Sequence, residues 1–277
     1  MPASLFTDKK EHGRMGGVRV VLVMNIGNTH IYFGIFAGEE LAECWRLSTD
    51  EKKTEDDYGL QILPLVEKVT GAKPSEIEGA IVSSVVPPLL PVLEKMCTKY
   101  LKIKPFVIGP GVKTGLNIRY DNPREVGADR IVNAVAALEE YRAPVIVADF
   151  GTAATFCYID GSNRYTGGVI APGLSISAEA LYNHGSKLPR VEVESKDRVI
   201  GKNTIDAIQS GLFFGYASQV DGIISRMKEE VKGNPFVLAT GGDVLLVNEA
   251  ARSIDKVDPH LTLKGLRYIY EKNKSEQ

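Results

Sequence analysis

The sequence predicts an α/β protein built of two related lobes, each a mixed sheet with flanking helices. Short β-branched apolar runs alternate with longer stretches of 3.6-residue periodicity, the pattern of packed strands and helices. One strand–turn–strand segment also occurs twice, as LVMNIGNT over Leu22–Thr29 and as IVADFGTA over Ile146–Ala153. The 277 residues, 44% hydrophobic and 25% charged, fit about two domains at ~150 residues each. That composition excludes extended disorder, a collagen-like repeat and a disulfide-stapled miniprotein.

The elements follow in order. Val18–Ile26 and Ile31–Phe36 are apolar, β-branched runs separated by Gly27–His30, which reads as strand, tight turn, strand. Leu41–Thr49 is a third strand and holds the single Trp. Asp56–Val69 opens with acids and reads as a helix, with Pro64 as an irregularity. Gly79–Val86 is a strand closed by Pro87-Pro88, Leu89–Leu101 a helix, and Pro105–Ile108 a strand. The loop from Gly109 to Pro123, rich in Gly, Pro and Asn, marks the seam between lobes. A helix is expected from Arg124 to Tyr141, then strands Val145–Phe150, Thr155–Ile159 and Tyr165–Ile170. Apolar residues at 205, 208, 212, 216, 220, 223, 227 and 231 predict one long helix over Ile205–Val231. Phe236–Ala239 is a strand running into Thr240-Gly241-Gly242, and two helical segments finish the chain. The expected lobes are 18–118 and 119–277, with residues 1–17 as a tail or tag and Met15 as a possible initiator.

Lys and Arg total 33 against 35 Asp and Glu, a net charge of −2, which gives no sign of a nucleic-acid or membrane-surface protein. The apolar run within Val18–Met24 is far too short to span a bilayer. Cys44, Cys97 and Cys157 are odd in number and widely spaced, which argues against a disulfide framework and for a reducing cytoplasm. Four scattered histidines write no zinc site.

The repeat carries the chemistry. Each copy is a buried strand, then Asn25 or Asp149, one apolar residue, a glycine and a small polar residue. A glycine turn lets backbone N–H groups approach phosphate oxygens. A carboxylate at the strand end can hold a cation that neutralises a triphosphate. Gly241-Gly242, at a third strand end, would let a base or ribose lie against backbone. Two copies imply two lobes facing a nucleotide cleft. A P-loop and a dinucleotide fingerprint are both missing from the sequence.

These turns resemble those of the acetate and sugar kinase, heat-shock chaperone and actin superfamily, and the whole set resembles type III pantothenate kinases. The matching segments are Asn25–Thr29, Trp45–Thr49, Ser83–Pro87, Tyr120 with Asn122-Pro123, Gly127–Arg130, Asp149–Thr152, Gly167-Gly168, Pro172-Gly173, Gly201–Thr204 and Thr240–Gly242. The resemblance implies two ribonuclease H-like lobes with an ATP cleft between them. It implies phosphorylation of pantothenate to 4'-phosphopantothenate, the first step to coenzyme A, by a cytoplasmic homodimer. It implies ATP with Mg²⁺ and a monovalent cation, potassium or ammonium. By the same resemblance Asn25, Ile26, Gly27, Asn28, Thr29, His30, Ile31 and Tyr32 lie along the ATP phosphates, joined by Thr152. Asp149 holds the monovalent cation. Tyr120, Gly127, Ala128, Asp129, Arg130 and Thr204 line the pantothenate site, and Asp129 accepts the hydroxyl proton. Direct chemistry agrees, since phosphoryl transfer needs positioning, charge neutralisation and a carboxylate near the attacking hydroxyl. Arg130 suits a substrate carboxylate. Thr204 reads also as a helix cap before Ile205.

Two positions depart from the family pattern. The first turn there opens with Asp, and this chain has Asn25; Ala154 stands where the second turn carries Thr. Loss of a full charge beside a metal–triphosphate would cost on the order of 10²-fold or more in rate. The alternative expectation is therefore a catalytically weak or inactive nucleotide- or pantothenate-binding or regulatory protein.

Overall fold

The computed structural model describes residues 19–70 and 77–274. The tail expected over residues 1–17, and Val18 of the first strand, lie outside the described residues. The chain divides into two compact units, one ending at Val107 and the other beginning at Ile108, whereas the sequence places the seam at 118/119. Short strand Asn117–Ile118 (β6) pairs with Arg164–Pro172 (β9) and so belongs to the second sheet.

The first unit is a five-stranded sheet in the order β3-β2-β1-β4-β5. Val20–Ile26 (β1), His30–Ala37 (β2) and Glu40–Ser48 (β3) form an antiparallel meander; Gly79–Ser84 (β4) and Phe106–Val107 (β5) add in parallel. Leu22, Met24 and Ile26 alternate onto one face, the two-residue period of a strand. Tyr58, Ile62 and Val66, one helical turn apart on Glu55–Thr70 (α1), cover it. Helix α1 runs through Pro64. The single helix expected over Leu89–Leu101 is instead a 3₁₀ turn, Leu90–Met96 (α2) and a widened last turn stopped at Lys102, whose φ is 62°. Pro87 and Pro88 lack the N–H that an interior helical turn needs.

The second unit repeats the first. Its sheet runs β11-β10-β7-β8-β9-β6. Val145–Phe150 (β7), Ala153–Ile159 (β8) and β9 again form an antiparallel meander, and Phe236–Thr240 (β10) and Lys256–Val257 (β11) again add in parallel. Strands β9-β8-β7-β10-β11 thus reproduce β3-β2-β1-β4-β5. Ile146, Ala148 and Phe150 pack with Leu212, Tyr216, Val220 and Ile224 of Thr204–Glu230 (α5). Val145 and Val147 face the other way, with Ala134 and Ala137 of Ala128–Glu140 (α3).

Three expectations are corrected. Helix α3 starts at Ala128, not Arg124: Pro123–Glu125 is a separate 3₁₀ turn, and Val126 and Gly127 are extended. Leu174–His184 (α4) is a helix that the sequence did not announce, and β11 is a strand before the last helix. Val244–Asn248 (α6) and Leu261–Asn273 (α7) are the two terminal helices. No helix of the described residues is long and apolar enough to cross a membrane.

Candidate functional site

Asp149 is the next-to-last residue of β7, and the period of two turns it to the same side as Val145 and Val147, toward α3. There the buried Asn133 donates its side-chain N–H to Asp149 Oδ2 at 2.8 Å. The other oxygen lies over Gly241. A Cβ on Gly241 would stand 2.5 Å from Asp149 Oδ1 and 2.5 Å from Phe150 N and O, and Gly241 has φ +104°. Both facts demand glycine at that strand end. Burial pushes the Asp149 carboxyl up to about 7; the Asp129 carboxylate pushes the same way, and the Asn133 amide pulls back.

Asp129 lies in the first turn of α3, where the helix end favours an anion. Its Oδ1 accepts the Arg130 backbone N–H at 2.8 Å. The cap residue is Gly127, and a Cβ there would stand 2.5 Å from Asp129 Oδ1. The glycine therefore leaves the carboxylate its place. Arg130 donates from Nη2 to the Glu125 carbonyl at 3.1 Å and hydrogen bonds with the Tyr120 side chain. The Tyr120 ring packs 6.3 Å from that of Tyr165, whose buried hydroxyl donates to Cys157 Sγ at 3.2 Å. Burial pushes the Cys157 thiol up to about 11, so it is no nucleophile at neutral pH. Tyr120, Gly127, Ala128, Asp129, Arg130 and Asp149 are thus gathered in one region of the second unit.

Thr152 sits in the β7–β8 turn, and its carbonyl accepts the Gly173 N–H at 3.2 Å. Ala154, where the family pattern has Thr, is buried in the core with Phe150 and Phe156, so a methyl suits the site. Thr204 is the first residue of α5 and is exposed. The cap is Asn203, whose side chain accepts the Asp206 N–H at 2.9 Å, so the capping role expected of Thr204 falls one residue earlier. Among the described residues no hydrogen bond joins Thr204 to the Asp129–Asp149 region.

The first unit holds the other turn. Gly27 N–H donates to the His30 carbonyl at 3.0 Å, and Thr49 closes the loop by donating its hydroxyl to the Gly27 carbonyl at 2.6 Å. Asn28 and Thr29 are exposed; Asn25, His30 and Tyr32 are partly buried. Ile26 and Ile31 are fully buried core residues, so only their backbone faces outward. Burial and the Arg46 charge lower the His30 pKa.

Sequence reasoning missed Asn133 and Thr262, quoted Ser83 only as part of a matching segment, and counted Tyr216 only as an apolar position of the long helix. Asn133 Oδ1 accepts the Thr262 hydroxyl at 2.7 Å. Ser83, fully buried and in register with Asn25, has a hydroxyl without a partner among the described residues. Tyr216 shares that state, and the charges of Asp243 and Asp149 act on its hydroxyl. A polar residue among the small apolar residues of α3 was the available signal for Asn133.

The donor set fits a cation at Asp149. One carboxylate oxygen accepts from Asn133, and the other packs closely over the Gly241 backbone. No group of three or more His, Cys, Asp or Glu side chains among the described residues forms a metal cage. A cation at Asp149 would complete its shell from backbone carbonyls, water or phosphate oxygens. Beside this region a cavity of about 360 Å³ is lined by Ser175, Glu179, Arg190, Glu192 and Asp243.

A duplicated mixed sheet with a glycine turn at each equivalent strand end, one of them carrying a carboxylate, makes this an α/β protein of two related lobes. Within that class the chain belongs to the type III pantothenate kinase family, which it matches over residues 21–226. Solved structures share the fold. A conserved protein of Campylobacter jejuni described as a Baf family transcriptional activator is 19% identical, with 92% of this chain and 99% of that chain covered and a TM-score of 0.58. The ethanolamine utilization protein EutJ of Carboxydothermus hydrogenoformans is 13% identical over 88% of each chain, with a TM-score of 0.52. A protein of Porphyromonas gingivalis described as an N-acetylglucosamine kinase is 13% identical over 92% of this chain and 99% of that one, with a TM-score of 0.50. At these identities the likeness shows the fold alone.

Proposed function

We propose that the chain transfers the γ-phosphoryl group of ATP to the primary hydroxyl of pantothenate. The observation that carries this reading is the placement of Asp129, fixed at the start of α3 beside Arg130 and within electrostatic reach of Asp149. Asp129 takes the hydroxyl proton, and the remaining N–H groups of Arg130 bind the pantothenate carboxylate. Tyr120 steadies that guanidinium. Gly127 and Ala128 line the acceptor site, as does Thr204. Asn25–Tyr32 and Thr152 take the ATP phosphates, with Ile26 and Ile31 contributing backbone. The cavity beside Asp243 takes the nucleoside end. Asp149 holds a monovalent cation, potassium or ammonium; that ion and the Mg²⁺ of ATP supply neutralisation of the phosphate charge.

Homodimer formation belongs to the same reading. Val199, Ile200, Ile205, Leu181 and Tyr182 are large apolar residues left exposed on the second unit, as an interface requires. Three free cysteines suit a reducing cytoplasm. A coupled assay with ATP, Mg²⁺, potassium or ammonium, and pantothenate tests the reaction. Phosphopantothenate should form, and Asp129→Ala should reduce the rate by about 10³-fold. Wild type no faster than Asp129→Ala would sink the reading.

Asn25 favours a second reading, a protein that binds nucleotide or pantothenate with little turnover. Calorimetric binding of both ligands without product would select it.

A further inference from the structure

We propose that Asn133 and Thr262 form a positioning relay that sets the Asp149 carboxylate and ties the last helix to the cation it holds. This rests on the assignment of Asp149 to a cation. Asn133 lies one helical turn beyond Asp129 on α3, is 2% exposed, and spends both ends of its amide. Its N–H donates to Asp149 Oδ2 at 2.8 Å, and its carbonyl accepts the Thr262 hydroxyl at 2.7 Å.

The chemistry fixes the direction of the chain of bonds. With a cation bound the carboxylate is ionised and only accepts, so the amide must turn its NH₂ to Asp149 and its oxygen to Thr262, whose hydroxyl must then donate. A hydroxyl donor at position 262 therefore locks the amide in the orientation that Asp149 needs. Thr262 reaches Asn133 because α7 lies close against α3. Gly265, three residues on and on the same helix face, has its Cα against the Val132 carbonyl, where a Cβ would clash. With Gly241 beneath Oδ1, the carboxylate is held from both sides, and Oδ1 with the second lone pair of Oδ2 remains for a cation. Thr262 lies outside the 21–226 span of the family match, so the relay extends the site into α7.

The test compares Thr262→Val, which keeps the shape and removes the donor, with Thr262→Ser, which restores the donor. Thr262→Ala serves if the valine variant does not fold. Loss of the donor should lower kcat about 10-fold and raise the half-activating potassium concentration about 5-fold, while the pantothenate KM stays within about twofold. Thr262→Ser should behave as wild type. The second readout is the rise in Tm that potassium causes in the presence of ATP, which should shrink in Thr262→Val and return in Thr262→Ser. A valine variant with the wild-type potassium response overturns the relay, and so does a serine variant as defective as valine. If wild type makes no phosphopantothenate, the kinase reading fails and the Tm measurement alone judges the relay. A wild-type Tm that potassium leaves unmoved then overturns it.

Discussion

The β1–β2 and β7–β8 hairpins are two solutions to one problem. Both carry a polar residue next to last in a buried strand, turn on glycine and pair in parallel with a later strand: Asn25 stands in register with Ser83, and Asp149 with Thr240. Both are closed from the end of the third strand, by Thr49 N–H on the Thr29 carbonyl at 3.0 Å and by Gly173 N–H on the Thr152 carbonyl at 3.2 Å. They differ in what surrounds the polar residue. Asp149 has an amide donor, a glycine under its free oxygen and a helix pair behind it. Asn25 has an unpartnered serine hydroxyl in register beside it. The duplication made two backbone cradles, and this chain keeps a supported charge in only one.

Removing that charge should produce the largest effect. Asp149→Asn should lower kcat by about 10³-fold, since the amide neither neutralises phosphate charge nor holds a cation well. Its effect on stability should have the opposite sign. The Asp149 carboxyl is raised to about 7 in the folded chain, against an ordinary value of 3.8. The unfolded chain therefore loses this proton first, and its ionisation costs the fold stability as pH climbs from about 4 to 7. Below about pH 4 both states are protonated and the cost vanishes. The ligand-free Asp149→Asn chain should melt roughly 5 °C above wild type at pH 8 and level with it near pH 4. Differential scanning calorimetry across that range checks the sign; a gap that widens toward acid would contradict it.

The glycines sharpen the comparison next. Gly241→Ala puts a methyl against the Asp149 carboxylate and the Phe150 backbone at a positive φ; it should cost about 3 kcal/mol. Gly27→Ala in the first hairpin meets one carbonyl, His30 O, at 2.9 Å, and should cost about 1 kcal/mol. Urea unfolding of both variants measures the difference. Equal costs would mean that the second cradle is no tighter than the first.

The sequence was legible wherever one element decided its own fate. Runs such as Val20–Ile26 and Val145–Phe150 are buried strands in any setting, and the repeated turn announced the repeated sheet. Helix α3 was read four residues too long at its start, because Pro123 looks like a first helical residue while Val126 and Gly127 have non-helical backbone. Helix α4 was missed because it exposes Ile176, Leu181 and Tyr182, which blurs the apolar stripe. Strand β11 has two residues and no pattern to read. In the site, the glycines and carboxylates were visible as a motif. Thr262 was not, because its bond to Asn133 joins residues 129 positions apart, and nothing local at either one encodes the other.

Asn25→Asp bears most directly on the contrast between the hairpins. It places a second carboxylate in the cradle that lacks one. Residues in register on parallel neighbours point to the same face, so the new carboxylate would lie beside the Ser83 hydroxyl, which has no partner to lose. A hydroxyl that donates to a carboxylate forms a stronger bond than one that donates to an amide oxygen. The substitution should therefore be tolerated in the fold and raise kcat about 10-fold, through the added charge near metal–triphosphate. Adding Ser83→Ala to it should cancel about half of that gain in free energy, roughly a threefold loss of rate. Steady-state kinetics of the single and double variants measure both. A rate unchanged by Asn25→Asp would mean that the first cradle works through its backbone alone, and that Asp149 and the ions carry all the neutralisation.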